Sequence, residues 1–174
     1  KLLSDYNSIY NEELIYKRQM LAFLDLEKDH AFERSCLMGH FTASCWLVDS
    51  KQDHYLLMHH KKLNRWLQPG GHCDGDADVL QVAIKEAQEE TGIKNITPIS
   101  RDIFDLDIHY IPSRREENIH LHFDVRFLLM AETNKISFNH EANEMKWFAK
   151  KTSIENDNLS LHRMYEKWLC LIDV

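Results

Sequence analysis

Proline and glycine are scarce in this chain, three and five among 174 residues, which excludes extended low-complexity or linker-like stretches. With 44% hydrophobic content, the composition fits one globular domain with a sizeable core and a helical extension. Basic residues are also in deficit. The 21 Lys and Arg against 28 Asp and Glu leave a formal charge of -7, which disfavours a sequence-independent grip on a nucleic-acid duplex but stays compatible with a small anionic ligand bound through a metal. Cysteine is thinly spread: Cys36, Cys45, Cys73 and Cys170 form no CxxC pair, so neither a zinc knuckle nor a redox dithiol is suggested, and reduced cytoplasmic thiols are expected. Long apolar runs are missing too. Runs such as residues 127–131 fall far short of the roughly 20 residues that cross a bilayer, so no membrane contact is expected. The N-terminus lacks a signal-peptide core, and a start at Lys1 rather than Met is compatible with a trimmed leader; a cytoplasmic location is the expectation.

What is present has a clear order. Residues 9–27 place Ile9, Leu14, Ile15, Leu21 and Leu24 among charged residues at near-helical spacing, which predicts an amphipathic helix. Residues 41–48 and 55–58, separated by a polar break, read as a β-hairpin. Residues 65–78, RWLQPGGHCDGDAD, read as a loop, after which Asp76 or Asp78 caps a helix that runs to Glu90 or Thr91 and is stopped by Gly92. Strands are expected at 103–111, 119–130 and 145–149, with a charged turn at 112–118 and a C-terminal helix at 159–171. No internal repeat is visible. Strands interrupted by one central helix and flanked by terminal helices imply an α/β domain, a mixed sheet covered on both faces.

The central helix carries the chemistry. Glu86, Glu89 and Glu90 fall within roughly 100° of one helical face, given about 100° per residue. Like charges at that spacing raise one another's pKa and weaken the helix unless water screens them or a cation joins them, and an oxygen-only donor set suits Mg2+ or Mn2+. A solvated charged face is the bland reading of a Glu-rich helix. Against it stands Pro69-Gly70-Gly71 just before the helix, a turn that lets backbone approach a ligand beside the helix's positive end.

Residues 71–93 resemble the Nudix box, a Gly, five residues, a Glu, seven residues, then Arg-Glu-U-X-Glu-Glu-X-Gly-U with U aliphatic. Gly71, Glu86, Ala87, Glu89, Glu90, Gly92 and Ile93 match, whereas Ala77 replaces the first Glu and Lys85 the Arg. FTASCWLV, HHKKLNRWLQPGGH and MKWF are also similar to the strands that frame the box. The resemblance implies a Nudix-type α/β/α sandwich with N- and C-terminal helices, divided as a helical extension at 1–35 and a Nudix hydrolase domain at 36–174. It further implies a Mg2+- or Mn2+-dependent pyrophosphohydrolase acting on a nucleoside diphosphate linked to another moiety, such as a nucleotide sugar, ADP-ribose or a CDP-alcohol, and a homodimer as a common assembly. Glu86, Glu89 and Glu90 would be the metal ligands, with Gly71 in the same metal site. The general base would be Glu90, or Glu141 or Glu144 in the loop before the last strand. Lys85 keeps the charge of the family's Arg without its planar fork, and Asp76 and Asp78 flank the position of the missing Glu.

Softer candidates surround this site. His120, His122 and Asp124 alternate with apolar residues and share one strand face, which fits a pocket lining, a transition-metal site or, the reading favoured for a half-solvated strand, simple alternation. His109 and the turn residues Arg114 and Arg115 are candidates for phosphate or base contacts, as are Lys61, Lys62 and Arg65 for the outer phosphate, with Gly70 beside them. Basic residues at a hairpin edge equally discourage strand pairing, and Trp66 reads as core. Cys73 would need a neighbouring base to act as a thiolate. Two rival functions remain: an isomerase of the isopentenyl diphosphate type, whose box is normally degraded, and a non-catalytic nucleotide-binding regulator.

Overall fold

Residues 39–49 carry apolar side chains on both parities of a strand, the pattern of a strand covered on both faces. In the computed structural model of this protein they form β1 (Gly39–Asp49), buried along its whole length. The structure describes residues 1–61, 63–113, 118–137, 142–152 and 158–172. Around β1 lies an eight-stranded mixed sheet completed by β2 (His54–His60), β3 (Arg65–Leu67), β4 (Gly70–His72), β5 (Ile96–Pro98), β6 (Asp105–Ile111), β7 (His120–Ala131) and β8 (Ala142–Ala149). β1 runs parallel to β7 from Gly39↔Leu121 to Asp49↔Ala131, and β5 and β6 pair antiparallel with β7. The expected hairpin forms with Leu47 opposite Leu56, and β8 lies along β2.

The helices are α1 (Leu2–Asp5), α2 (Asn11–Glu27) with a 3-10 turn at Lys28–Phe32, α3 (Val79–Thr91) and α4 (Leu159–Ile172). Strand parity sends side chains to two separate cores. Phe41, Ala43, Cys45 and Leu47 of β1 join Phe123, Val125 and Phe127 of β7 beneath Met20 and Phe23 of α2 and Leu80, Val82, Ala83 and Ala87 of α3. On the opposite face Trp46, Val48, Tyr55, Leu57 and Leu128 pack against Leu161, Met164 and Trp168 of α4. Each fully buried aliphatic in these layers contributes about 1.5–3 kcal/mol of transfer free energy. The result is the expected α/β/α sandwich.

Residues 65–78 depart from the expected plain loop. β3 pairs with β2, His60 opposite Arg65, and after Gln68-Pro69 the chain crosses to β1, where β4 pairs Ser44 with Gly70, Ala43 with Gly71 and Thr42 with His72. One short path thus bridges the fork where β1 and β2 diverge. Such three-residue strands have no periodicity to read, and neither has β5. The turn residues Arg114 and Arg115 lie outside the described residues, as do Lys62 and Glu141.

Candidate active site

Helix α3 is placed by its two ends. Asp78 caps it, its carboxylate accepting from the Gln81 N–H at 3.2 Å, and Gly92 ends it in the left-handed region at φ 70°. The apolar residues Val82, Ala83 and Ala87 face the sheet, which carries Glu86 and Glu90 to its edge at β4. The Gly70 N–H donates to Glu90 Oε2 at 3.0 Å, and Glu90 is buried. Gly71 faces Glu86 so closely that a Cβ there would overlap the carboxylate. Glu86 is half-buried; burial first, and the nearby charge of Glu89 second, raise its pKa. Glu89 is exposed, with Lys85 Nζ at 3.8 Å, a surface pair that screens little. Glu86 and Glu90 therefore lie against the glycine strand, Glu90 buried and Glu86 half-buried, while Glu89 on the same helix is open to solvent.

The sheet face beyond α4 is polar. Asp124 accepts from Thr42 at 3.0 Å, Ser44 at 2.7 Å and Arg126 at 2.7 Å, so its carboxylate is already neutralised. Asp124 thus drops out of the His-x-His-x-Asp run as a free ligand. Above it, the parallel register of β1 and β7 brings His40 against His122, with ring centroids 4.8 Å apart, and His72 and His109 approach His122 at 4.9 and 5.4 Å. Burial, followed by the surrounding His72, His109, His40 and His120, holds His122 down to about 2, and burial with His72 and His120 holds His40 at about 4. His109 Nδ1 lies 3.0 Å from Asp107. His40 and His72 went unrecognised as partners of His120 and His122, because only strand pairing joins them, directly over eighty positions for His40 and through β1 for His72.

A model of the NUDIX domain matches residues 38–167. The chain belongs to the NUDIX family. No curated protein matches the chain. A Caenorhabditis elegans Ap4A hydrolase in a binary complex superposes with a TM-score of 0.61 at 18% identity, covering 76% of this chain and 97% of its own. A NUDIX-family hydrolase from Clostridium perfringens does so at 0.57 and 26% identity, covering 76% and 97%. A UDP-X diphosphatase reaches 0.54 at 13% identity, covering 88% and 72%.

As a Nudix pyrophosphohydrolase, the chain shows where its departures from the box lie. Ala77 is exposed ahead of α3. Asp76 accepts from the Asp78 N–H at 2.8 Å while Asp78 caps the helix, so both flanking aspartates serve the backbone. Lys85 points into solvent beside Glu89. Lys61 and Arg65 are exposed at the far end of the β2–β3 pair, and Glu144 is exposed on β8 opposite His59. Trp66 packs against the α4 core, as expected. Burial first, then Asp124 and Asp76, push the Cys73 thiol up to about 12, so it stays protonated rather than acting as a thiolate. No helix among the described residues is long and apolar enough to cross a membrane.

Proposed function

We propose that this Nudix pyrophosphohydrolase splits the phosphoanhydride of a nucleoside diphosphate linked to another moiety, with Mg2+ or Mn2+ held by Glu86, Glu89 and Glu90 beside the Gly71 backbone. The observation that carries the reading is the seating of Glu86 and Glu90 on consecutive glycines, with Glu89 one turn position away and open to solvent. The fit to a hard divalent cation rests on donor chemistry: three carboxylates, of which Glu86 has its pKa raised by burial and then by the charge of Glu89, with the exposed Lys85 beside Glu89. A cation of this class neutralises diphosphate charge and eases deprotonation of a water. The Gly70 N–H fixes the Glu90 carboxylate, so its second oxygen has a set direction. Glu90, so oriented, accepts the proton of the attacking water as the water's oxygen forms the new bond to phosphorus and the bridging anhydride oxygen leaves. Glu144, exposed on β8, and Glu141 remain alternative proton acceptors. Lys61, Arg65, Arg115, His109, His120 and His122 are the proposed substrate contacts, with the domain itself extending over 36–174 and the helices at 1–35 as an extension.

Support for a dinucleotide or nucleotide-sugar substrate comes from the Ap4A hydrolase and UDP-X diphosphatase folds, as likeness alone. The test is a panel of ADP-ribose, nucleotide sugars, CDP-alcohols, dinucleoside polyphosphates and nucleoside triphosphates with Mg2+, followed by Glu89→Gln. Two phosphate-bearing products from one panel member, and a fall in kcat of about 10²–10⁴-fold in the variant with an unchanged melting curve, are expected. A variant that turns over like the parent overturns the assignment of Glu89. Products that conserve the diphosphate replace hydrolysis by isomerisation, and binding without turnover replaces it by a sensor.

A further inference from the structure

We propose that His40, His120 and His122 form a site for a single borderline divalent transition-metal ion, of the zinc, cobalt or nickel kind, on the sheet face opposite helix α3. The three side chains offer one nitrogen each, and these nitrogens all lie within 4.8 Å of one another. Two facts make this more than a crowd of rings. His120 Nδ1 is 2.9 Å from the Asn118 carbonyl, which can only accept, so the proton sits on Nδ1 and Nε2 carries the lone pair, which accepts from His122 while no cation is bound. That Nε2 lies 3.2 Å from His122 Nε2, close to the edge of a tetrahedron built on metal–nitrogen bonds of about 2.0–2.1 Å, roughly 3.3 Å.

The second fact is His40. It is 3% exposed, and neither ring nitrogen has a hydrogen-bond partner. A buried polar group left unpaired costs about 1–3 kcal/mol, so an ordinary core histidine would be paired with a hydroxyl, a carbonyl or a carboxylate. The next hydroxyl on the same strand face is engaged elsewhere: Thr42 donates to Asp124. A ligand shared with His120 and His122 satisfies His40 where the protein does not.

The donor set selects the metal. Three imidazoles suit zinc-like cations and not Mg2+, which demands oxygen, so this site and the Glu86–Glu90 site would not compete. Three protein ligands leave a position open for a water or an anionic oxygen. The two sites lie back to back across β4, since Gly71 pairs with Ala43 and faces Glu86, whereas His72 pairs with Thr42 and meets the rings of His40 and His122, tilted to the first and edge-on to the second. The inference stands on its own residues and does not depend on the carboxylate reading.

The test uses the full chain stripped by chelation and titrated with Co2+ in excess Mg2+. One equivalent should bind with visible d–d bands of imidazole-ligated cobalt, displaced by Zn2+. His120→Asn and His40→Asn should each weaken Co2+ more than tenfold, while Glu86→Gln and Glu89→Gln leave it unchanged. Absence of the bands, or bands that persist at full affinity in both histidine variants, overturns the proposal. Glu27, His30 and Cys36 form the other grouping of this kind among the described residues, so loss on His30→Asn instead also overturns it. X-ray absorption of the zinc-loaded parent needs no variant: nitrogen ligands alone support the site, and a sulfur at about 2.3 Å contradicts it.

Discussion

Gly71 and Glu86 form a pair in which each restricts the other. Because a Cβ at 71 would reach the far end of a flexible side chain rather than backbone, Gly71→Ala should cost little stability yet push the Glu86 carboxylate out of its seat. We expect kcat to fall roughly tenfold to a hundredfold, as for an approximately 1 Å misplacement of a catalytic group, with thermal melting nearly unchanged. Unaltered turnover would show that the seat is not used. The box residues themselves were legible: glutamates at 86, 89 and 90 after a double glycine need only local spacing. That Glu90 turns inward to the Gly70 amide while Glu89 stays in water was not, because helical angle alone does not say which flank meets the sheet.

Helix α3 is the element whose limits the sequence marks best, since cap residues act within one turn of their own position. Gly92 at φ 70° both stops it and lies against the Ser137 backbone. Gly92→Ala should destabilise the fold by about 1–2 kcal/mol or more, from left-handed strain together with that contact, and a urea midpoint compared with the parent would read it. An unshifted midpoint would mean that the helix end relaxes freely. β3 and β4 are the contrasting case. Their existence depends on two different neighbours, β2 and β1, so a stretch that reads locally as Gly-rich loop becomes ladder only once the fork is built.

The long-range charge network joins the layers. Arg126 reaches Asp124, Asp105 and Asp107, while Arg163 binds Asp105 and Glu12, and Lys167 reaches Glu13 and Asp105, tying α2 and α4 to β6 and β7. Burial alone would raise Asp107; Arg126, the His109 hydrogen bond and Arg163 outweigh it and lower the carboxyl from 3.8 to about 2. The folded value lies below the unfolded one, so the unfolded chain takes up the proton first. The stabilisation is complete above about pH 4 to 5 and is lost as pH falls through about 2, on the order of 2 kcal/mol from this group. Melting temperature should therefore drop across that acid window, and Asp107→Asn should be less stable at neutral pH but show a shallower acid decline. An equally steep decline in the variant would move the acid sensitivity to other carboxylates.

The apolar run of β1, the alternation of β7, the amphipathic helices and the spacing of the box were all local patterns, and they sufficed for the layers, the family and the three glutamates. Register was different in kind. His40 meets His122, and Asp124 is consumed by Thr42, Ser44 and Arg126, only because β1 lies parallel to β7 in one alignment. Nothing within either strand encodes that alignment, since it is chosen by the packing of both faces at once, and a slip of one residue would turn the histidines into the apolar core.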